Sequence, residues 1–301
     1  MATGTQERDH RRIPTFTAPD GTVLAYRLAG QVEPLVCLPG GPMRASAYLG
    51  DLAGLSAHRT LVLLDLRGTG GSQRPADPAT YRCDHQVADV EALRAHLRLE
   101  RADLLAHSAA GDLALAYAAA YPARVNSLTL VAARGRALGV DFTPDHRREA
   151  AALRTGEPWY PAAARALEKS FAGTATDADW DAVNPLLYGR WDAAAQAHSA
   201  EEVAQSNDEA GDRYASPGAF DPAAARAAVA GLTAPVLLYA GELDGSPLPR
   251  VAAEIAALIP GARLVVQPGG GHFPWLDDPG HFTRTVTAFL TTVPPLPADP
   301  A

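Results

Sequence analysis

Hydrophobic residues in this chain fall into short apolar runs, and a turn signal follows most of these runs. Such runs predict β-strands that are buried in a sheet. The first two, 13–18 and 22–29, are joined by Pro19, Asp20 and Gly21, so they are expected to form an antiparallel pair. The remaining strands are predicted at 35–38, 61–64, 104–106, 125–132, 235–240 and 263–267.

Stretches with helical spacing separate these strands. In 84–99, for example, Val87, Val90, Leu93 and Leu97 recur at three- and four-residue spacing, which predicts an amphipathic helix. Strands that alternate with helices predict an α/β fold with a mostly parallel sheet that is covered on both faces. The other helices are predicted at 45–57, in the second half of 101–122, at 248–259 and at 279–290.

The pattern changes between about 134 and 232. This stretch is rich in alanine, has helical spacing and lacks a convincing buried strand. We interpret it as a helical cap that is inserted into an α/β core made of 13–133 and 233–293. The two ends of the chain, 1–12 and 294–301, are expected to be disordered.

The length, charge and composition of the chain limit the functions that it can have. The 301 residues are enough for one large α/β domain with an insertion, or for two domains. The formal net charge of -8 argues against general nucleic-acid binding. No apolar leader or membrane-spanning run is visible, so we expect a cytoplasmic protein without membrane contact.

No cofactor is expected from the motifs. The two cysteines, Cys37 and Cys83, lack metal-ligand spacing, and no phosphate-binding or dinucleotide fingerprint is visible. We therefore expect no metal and no cofactor. The expected partner is a small-molecule or short-peptide substrate, and the oligomeric state stays open.

The stretch 101–122 carries the first candidate for chemistry. An apolar run ends at Ala106, His107 and Ser108 follow, and apolar residues then recur at helical spacing up to Pro122. A serine between small residues at a strand-to-helix turn has the pattern of a nucleophile elbow. A serine here could equally cap the helix, because its hydroxyl accepts the first free N–H groups. His107 is expected in the wall of the substrate pocket or just behind it.

Two later strand ends supply an acid and a base. The carboxyl ends of parallel strands lie at one edge of a sheet, where ligands bind. A histidine that accepts the serine proton, and is itself held by a carboxylate, turns the serine into a nucleophile. We assign Ser108, Asp244 and His272 to these roles, with Glu242 as the rival acid. Asp277 and Asp278 are expected to interact with a helix N-terminus.

A glycine-rich turn follows the 35–38 strand. The glycines Gly40 and Gly41 let backbone N–H groups face a ligand. We assign the N–H groups of Gly41 and Ala109 to an oxyanion hole, which stabilises the negative oxygen of a tetrahedral intermediate. Asp65 and Arg67 are expected to form a structural pair beside this turn.

Several motifs resemble those of the α/β-hydrolase superfamily, in particular its proline iminopeptidase-like branch. They are LPGGP, DLRGTGGS, AHSAAG, GELD and GGGHFPWLDDP, within a resemblance that extends from about Ile13 to Leu290. The resemblance implies an α/β-hydrolase fold, with an eight-stranded, mostly parallel sheet and a helical cap after the sixth strand. It also implies a catalytic triad of Ser108, Asp244 and His272.

The motifs also depart from that branch. Pro39 replaces the histidine, and Met43 the last glycine, of a His-Gly-Gly-Pro-Gly motif. In the peptidases of this branch, cap carboxylates bind the free α-amino group of the substrate, and one of them belongs to a Trp-Glu pair. The resemblance implies that Trp191, Asp192 and Glu209 bind substrate here.

Two enzymatic functions stay open at this point, and both are hydrolysis of a small ester or amide through an acyl-enzyme. One is a proline iminopeptidase-like aminopeptidase, and the other is an esterase or lactonase that acts on a small metabolite. A third alternative, from a different class, is a binding protein or non-hydrolytic enzyme that keeps the hydrolase fold.

Overall fold

A computed structural model describes residues 13–293 of the chain. The terminal segments for which disorder is expected, 1–12 and 294–301, lie outside the described residues. The strands are β1 (Thr15–Thr17), β2 (Val23–Ala29), β3 (Pro34–Leu38), β4 (Thr60–Leu64), β5 (Ala102–His107), β6 (Val125–Val131), β7 (Val236–Gly241) and β8 (Arg263–Gln267). They form one eight-stranded sheet in the order β1-β2-β4-β3-β5-β6-β7-β8.

The sheet is antiparallel at its start and parallel elsewhere. β2 pairs antiparallel with both β1 and β4, and every other pair is parallel. The predicted mostly parallel sheet of eight strands is therefore confirmed. Its parallel strands all end at the same edge, which brings the residues that follow them together.

Burial on both faces explains why central strands such as β3, β4 and β7 are nearly continuous apolar runs. Adjacent side chains on a strand point to opposite faces of the sheet. Val36 and Leu104 are paired across β3 and β5 and belong to one core cluster. Cys37 and Leu105, the next pair, belong to a second core cluster.

Helices cover the two faces and connect the strands. The helices are α1 (Cys83–His96), α2 (Ala110–Ala120), α3 (Pro144–Ala152), α4 (Tyr160–Phe171), α5 (Asp177–Val183), α6 (Ala193–Ala200), α7 (Glu202–Gln205), α8 (Asp208–Tyr214), α9 (Pro222–Val229), α10 (Pro249–Ala257), α11 (Pro274–Asp277) and α12 (Pro279–Thr292). Short 3₁₀ helices lie at Ser46–Leu49, Leu55–Ala57, Pro78–Tyr81, Pro122–Arg124, Arg136–Leu138 and Asn184–Leu187. None of the helices within 13–293 is long and apolar enough to cross a membrane.

Seven of these helices, α3 to α9, lie between β6 and β7. We call residues 134–232 the helical segment. The segment is anchored to the core, because Val229 of α9 and Tyr214 of α8 belong to the same buried cluster as Leu113 of α2. Its identification as a separate cap domain stays a prediction.

The helix predicted at 45–57 is wrong, since the structure has two separate 3₁₀ turns there. Between these turns, Gly50, Leu52, Ala53 and Gly54 have positive φ values of 56°, 51°, 58° and 82°. Left-handed residues cannot continue a right-handed helix. The apolar spacing of this stretch is compatible with a helix, but Gly50 and Gly54 adopt the left-handed conformation without steric cost, and they interrupt it.

The expected pair of Asp65 with Arg67 is also wrong. Arg67 is buried and donates to both carboxylate oxygens of Asp89, at 2.8 and 2.5 Å. Asp65 instead accepts from the N–H and hydroxyl of Ser46, at 2.9 and 2.7 Å, and from the Gly71 N–H at 2.9 Å. Both residues therefore stabilise loops next to the site, but through different partners.

Candidate active site

Ser108 lies at the sharp turn between β5 and α2. Its φ of 55° is left-handed, a strained conformation for a residue other than glycine and one that clusters at functional sites. The turn is fixed from both sides: the Ser108 N–H donates to the Val131 carbonyl at 3.0 Å, and the Ser108 carbonyl accepts from the Arg134 N–H at 2.9 Å. The hydroxyl contacts His272 and does not cap α2, so the helix-cap alternative is wrong.

Gly111 lets α2 pack closely behind this turn. A Cβ atom at this position would lie 2.6 Å from the Cβ of Ala133 and 2.6 Å from the carbonyl oxygen of Arg134. The sequence pattern drew attention to the small residues next to Ser108. The structure adds Gly111, whose role depends on a segment that is distant in the sequence.

Ser108, His272 and Asp244 form one hydrogen-bonded chain. The Nε2 atom of His272 lies 2.9 Å from the Ser108 hydroxyl, and its Nδ1 atom lies 2.9 Å from a carboxylate oxygen of Asp244. An ionised carboxylate only accepts hydrogen bonds, so Nδ1 carries the proton and Nε2 is free to accept one from Ser108. Asp244 is fully buried and also accepts from the Ser246 N–H at 2.7 Å. The rival acid Glu242 accepts from the Gly269 N–H at 2.8 Å and does not bond to His272.

The loop that carries His272 is bonded to the helical segment. The His272 N–H donates to the Leu187 carbonyl at 2.7 Å. The Asp277 carboxylate accepts from Gly271 N–H at 2.7 Å, and also from the backbone at 189–190 at 2.9 and 3.3 Å. Asp277 therefore holds two loops together, and the expected interaction with a helix N-terminus is not its main contact. Burial raises the pKa of this carboxyl above its ordinary value.

The glycine-rich turn after β3 packs directly against the elbow. A Cβ atom on Gly40 would lie 2.6 Å from the His107 carbonyl oxygen and 2.8 Å from the Ser108 Cβ. Gly41 has a φ of 120° and lines the same cavity as Ser108 and Ala109. Within residues 13–293, neither the Gly41 N–H nor the Ala109 N–H donates a hydrogen bond. Both donors are therefore available to an oxygen atom placed beside Ser108.

His107 lies behind the site and joins two of its loops. Its Nδ1 atom is 2.7 Å from the Tyr48 hydroxyl, and its Nε2 atom is 2.8 Å from the His272 carbonyl. The Tyr48 hydroxyl accepts from the Gly40 N–H at 2.7 Å, so its own proton points to His107. Burial, followed by the nearby His272, lowers the pKa of His107 well below its ordinary value, so the ring is neutral. The sequence carried no signal for Tyr48.

A cavity of about 160 Å³ opens at Ser108. This volume is smaller than the ~300–1,000 Å³ of most ligand pockets, so it suits a small substrate or a small chain end. Its wall includes three arginines and one glutamate. The lining residues are Gly41, Arg44, Tyr48, His107, Ser108, Ala109, Arg134, Phe142, Arg147, Leu187, Glu202, Ser246, His272 and Phe273. Within 13–293, no group of three or more His, Cys, Asp or Glu side chains is arranged to hold a metal ion.

The structure does not place Trp191, Asp192 or Glu209 in the wall of this cavity. The Asp192 carboxylate caps α6 by accepting from the Ala194 and Ala195 N–H groups, at 3.1 and 3.0 Å. Trp191 packs against the Tyr188 ring, with centroids 5.3 Å apart.

Glu209 is about half exposed, and its carboxylate lies 3.8 Å from Arg213 on the same helix. The acid that does line the cavity is Glu202, at the start of α7. The sequence reasoning missed Glu202, because many acids occur in this segment and only the fold shows which one faces Ser108.

Comparison with known proteins identifies relatives along most of the chain. A family model described as alpha/beta hydrolase fold matches residues 33–279. An uncharacterised protein of Mycobacterium tuberculosis is 27% identical over 298 residues, which is 95% of this chain and 83% of that protein. A proline iminopeptidase of Saccharolobus solfataricus is 41% identical over 98 residues, but this match covers only 32% of each chain.

Solved structures share the same architecture. An esterase from a Rhodococcus species superposes with a TM-score of 0.72 and 24% sequence identity, and the match covers 94% of this chain and 99% of that chain. At this level of identity the likeness concerns the fold alone.

Proposed function

The chain belongs to the α/β-hydrolase superfamily, and we propose that it is a serine hydrolase that cleaves a small ester or amide through an acyl-enzyme. The observation that supports this most is the hydrogen-bonded chain from Ser108 through His272 to Asp244, with two free N–H groups beside the serine. A nucleophile, a base, an orienting acid and an oxyanion site are the parts that acyl transfer needs.

In the first half of the proposed reaction, His272 takes the proton of the Ser108 hydroxyl as the oxygen attacks the substrate carbonyl. The carbonyl oxygen becomes negative and accepts hydrogen bonds from the N–H groups of Gly41 and Ala109. His272 then gives its proton to the leaving alcohol or amine, and the acyl group stays on Ser108. Asp244 stabilises the protonated imidazole and keeps its orientation.

In the second half, His272 removes a proton from a water molecule that attacks the acyl carbon. The bond between the acyl group and Ser108 breaks, the serine recovers its proton from His272, and the acid is released. Loss of one oxyanion donor typically lowers kcat by about 10²–10³-fold, so both N–H groups are expected to matter.

Within this class we favour an esterase or lactonase over an aminopeptidase. The carboxylates of Asp192 and Glu209, which the peptidase resemblance assigns to amine binding, do not line the cavity. Three arginines and one acid do line it, namely Arg44, Arg134, Arg147 and Glu202. The guanidinium of Arg147 makes no ion pair with any of the described residues, so it would repel a protonated α-amino group.

The first test is covalent labelling of the intact protein with a fluorophosphonate probe, with mass spectrometry of the labelled peptide. We expect modification at Ser108 and none in Ser108→Ala. A folded protein that is not labelled at Ser108 would support the non-hydrolytic or binding alternative.

The second test compares short 4-nitrophenyl esters with a prolyl 4-nitroanilide. We expect hydrolysis of the esters and little hydrolysis of the anilide, and Asp192→Ala should leave ester turnover unchanged. Efficient anilide turnover that depends on Asp192 would favour the aminopeptidase instead.

A further inference from the structure

The charged residues around the cavity differ in how fully they are already paired. Arg44 is buried, and its guanidinium donates to Gln205 at 2.9 Å and to the His198 carbonyl at 3.2 Å. Its third nitrogen lies 3.9 Å from Glu202, the carboxylate in the cavity wall. These contacts fix Arg44 in place and offset its charge.

Arg134 is also paired. One of its terminal nitrogens donates to both carboxylate oxygens of Asp141, at 2.9 Å each. Its guanidinium also lies over the Phe142 ring, 4.4 Å from the centroid. The positive charge of Arg134 is therefore partly offset by Asp141.

Arg147 differs from the other two arginines of the cavity because its charge has no partner in the part of the chain that the structure describes. Within residues 13–293 its guanidinium makes no hydrogen bond and no ion pair, and it lies over the Phe171 ring, 5.6 Å from the centroid. The side chain is half-buried in the wall of the cavity that holds Ser108. A partly buried guanidinium stays charged at neutral pH, and its five donors match a carboxylate well.

The acids near Arg147 already have partners. Asp244 is fully buried and bonded to His272, and Glu202 lies beside Arg44. The nearby Arg134 makes the surroundings of Arg147 more positive. An anion from outside the chain is therefore the group that the cavity lacks.

We propose that the substrate of this hydrolase carries a carboxylate in addition to the bond that is cleaved, and that Arg147 binds this carboxylate. The inference rests on the proposed function and specifies its substrate class. Arg147 is at the fourth position of α3, and α3 packs directly on the loop of Asp244, where a Cβ on Gly245 would lie 3.0 Å from Ala150. This packing fixes the Arg147 guanidinium relative to the reacting groups. The guanidinium can therefore select the end of a short substrate that carries the carboxylate.

The test compares two pairs of esters that have the same shape but different charge. In the first pair, 4-nitrophenyl hemiglutarate carries a carboxylate on the acyl side, and 4-nitrophenyl 5-methylhexanoate has an isopropyl group in its place. In the second pair, 3-carboxyphenyl acetate carries the carboxylate on the leaving group, and 3-isopropylphenyl acetate is its neutral counterpart. Rates are corrected for hydrolysis without enzyme.

We expect the native chain to prefer the charged member of one pair, which identifies the side that faces Arg147. Arg147→Met should lower that preference, measured as the ratio of the two kcat/KM values, by about 10- to 100-fold, mainly through KM. This range is the usual contribution of a hydrogen bond to a charged group. Arg147→Lys should retain part of the preference, because it keeps the charge but loses the planar fork.

Arg148→Met is the matched control. Arg148 is the next residue on α3 but is exposed and paired with Glu168 and Asp145, so its loss removes the same charge outside the cavity. It should leave the ratio unchanged. As a readout without turnover, glutarate should raise the Tm of Ser108→Ala, and the shift should disappear in Ser108→Ala/Arg147→Met.

Three outcomes overturn the inference. If Arg147→Met lowers kcat/KM for charged and neutral esters equally, the arginine acts on Asp244 and His272 and does not bind substrate. If neither pair shows a preference for charge, or if glutarate gives no Arg147-dependent shift, the cavity does not select anions. In these cases neutral esters are still hydrolysed at Ser108, whereas failure of the proposed function would abolish hydrolysis of all four esters.

Discussion

Replacing Tyr48 with phenylalanine removes the hydroxyl that joins the glycine-rich turn to His107. This hydroxyl accepts from the Gly40 N–H at 2.7 Å and donates to His107 Nδ1 at 2.7 Å. The substitution leaves a buried donor and a buried acceptor without partners. An unpaired buried polar group costs about 1–3 kcal/mol, so we expect the free energy of unfolding to fall by about 2–6 kcal/mol.

The same substitution should slow catalysis. Gly40 loses the contact that fixes it, and the Gly41 N–H that follows it should shift away from the oxyanion. Complete loss of an oxyanion donor costs about 10²–10³-fold in kcat, and a displaced donor should cost less, about 10-fold. The expected change is in kcat more than in KM, since the donor acts on charge that develops in the transition state.

Tyr188→Phe is the matched control. The Tyr188 hydroxyl also bonds to a histidine, His198, at 2.8 Å, but it does not contact the glycine-rich turn. Urea unfolding and kcat on a 4-nitrophenyl ester are measured for both variants. Equal effects of Tyr48→Phe and Tyr188→Phe on kcat would refute the view that Tyr48 positions the oxyanion turn.

Three further predictions concern the acid, the elbow and the buried histidine. Asp244→Asn should lower kcat by about 10³–10⁴-fold, because the histidine loses its correct tautomer, whereas Glu242→Gln should have a small effect on kcat. Similar losses of kcat in the two variants would show that Asp244 is not the acid that orients His272. Gly111→Ala should lower the midpoint of urea unfolding strongly, because its Cβ would overlap Ala133, whereas Gly231→Ala, with its nearest atom 3.7 Å away, should be tolerated. Burial lowers the pKa of His107 below its ordinary 6.5, so the unfolded chain binds a proton near pH 6 that the folded chain does not. The free energy of unfolding should therefore fall as the pH is lowered from 6.5, and His107 should contribute up to about 1.4 kcal/mol per pH unit to this fall. A His107→Gln variant whose stability depends on pH just as steeply would show that His107 is not the group responsible.

The sequence predicted those parts of the molecule that depend on local pattern. Buried parallel strands are nearly continuous apolar runs, so β3, β4 and β7 could be located to within a few residues. The strand-end rule then selected Ser108, Asp244 and His272, because parallel strands place the residues that follow them at one edge. The structure brings these three side chains into one hydrogen-bonded chain.

The parts that the sequence did not predict depend on contacts between distant segments. Tyr48 is important because it reaches Gly40 and His107. Arg147 is important because the acids near it in the fold are paired with other residues. Asp192 looked like a substrate ligand, but an aspartate before a helix also caps that helix, and this local role is the one it has. A sequence pattern cannot distinguish these roles, because they differ only in which way the side chain points.

The Asp277 carboxylate limits how a substrate can enter the cavity. It ties the backbone at 189–190 to Gly271, while Leu187 accepts from the His272 N–H. This edge of the helical segment cannot swing outward without breaking the bonds that hold the base in place. A movement that widens the entrance while the bond between His272 and Ser108 is kept would therefore have to hinge at another edge of the helical segment.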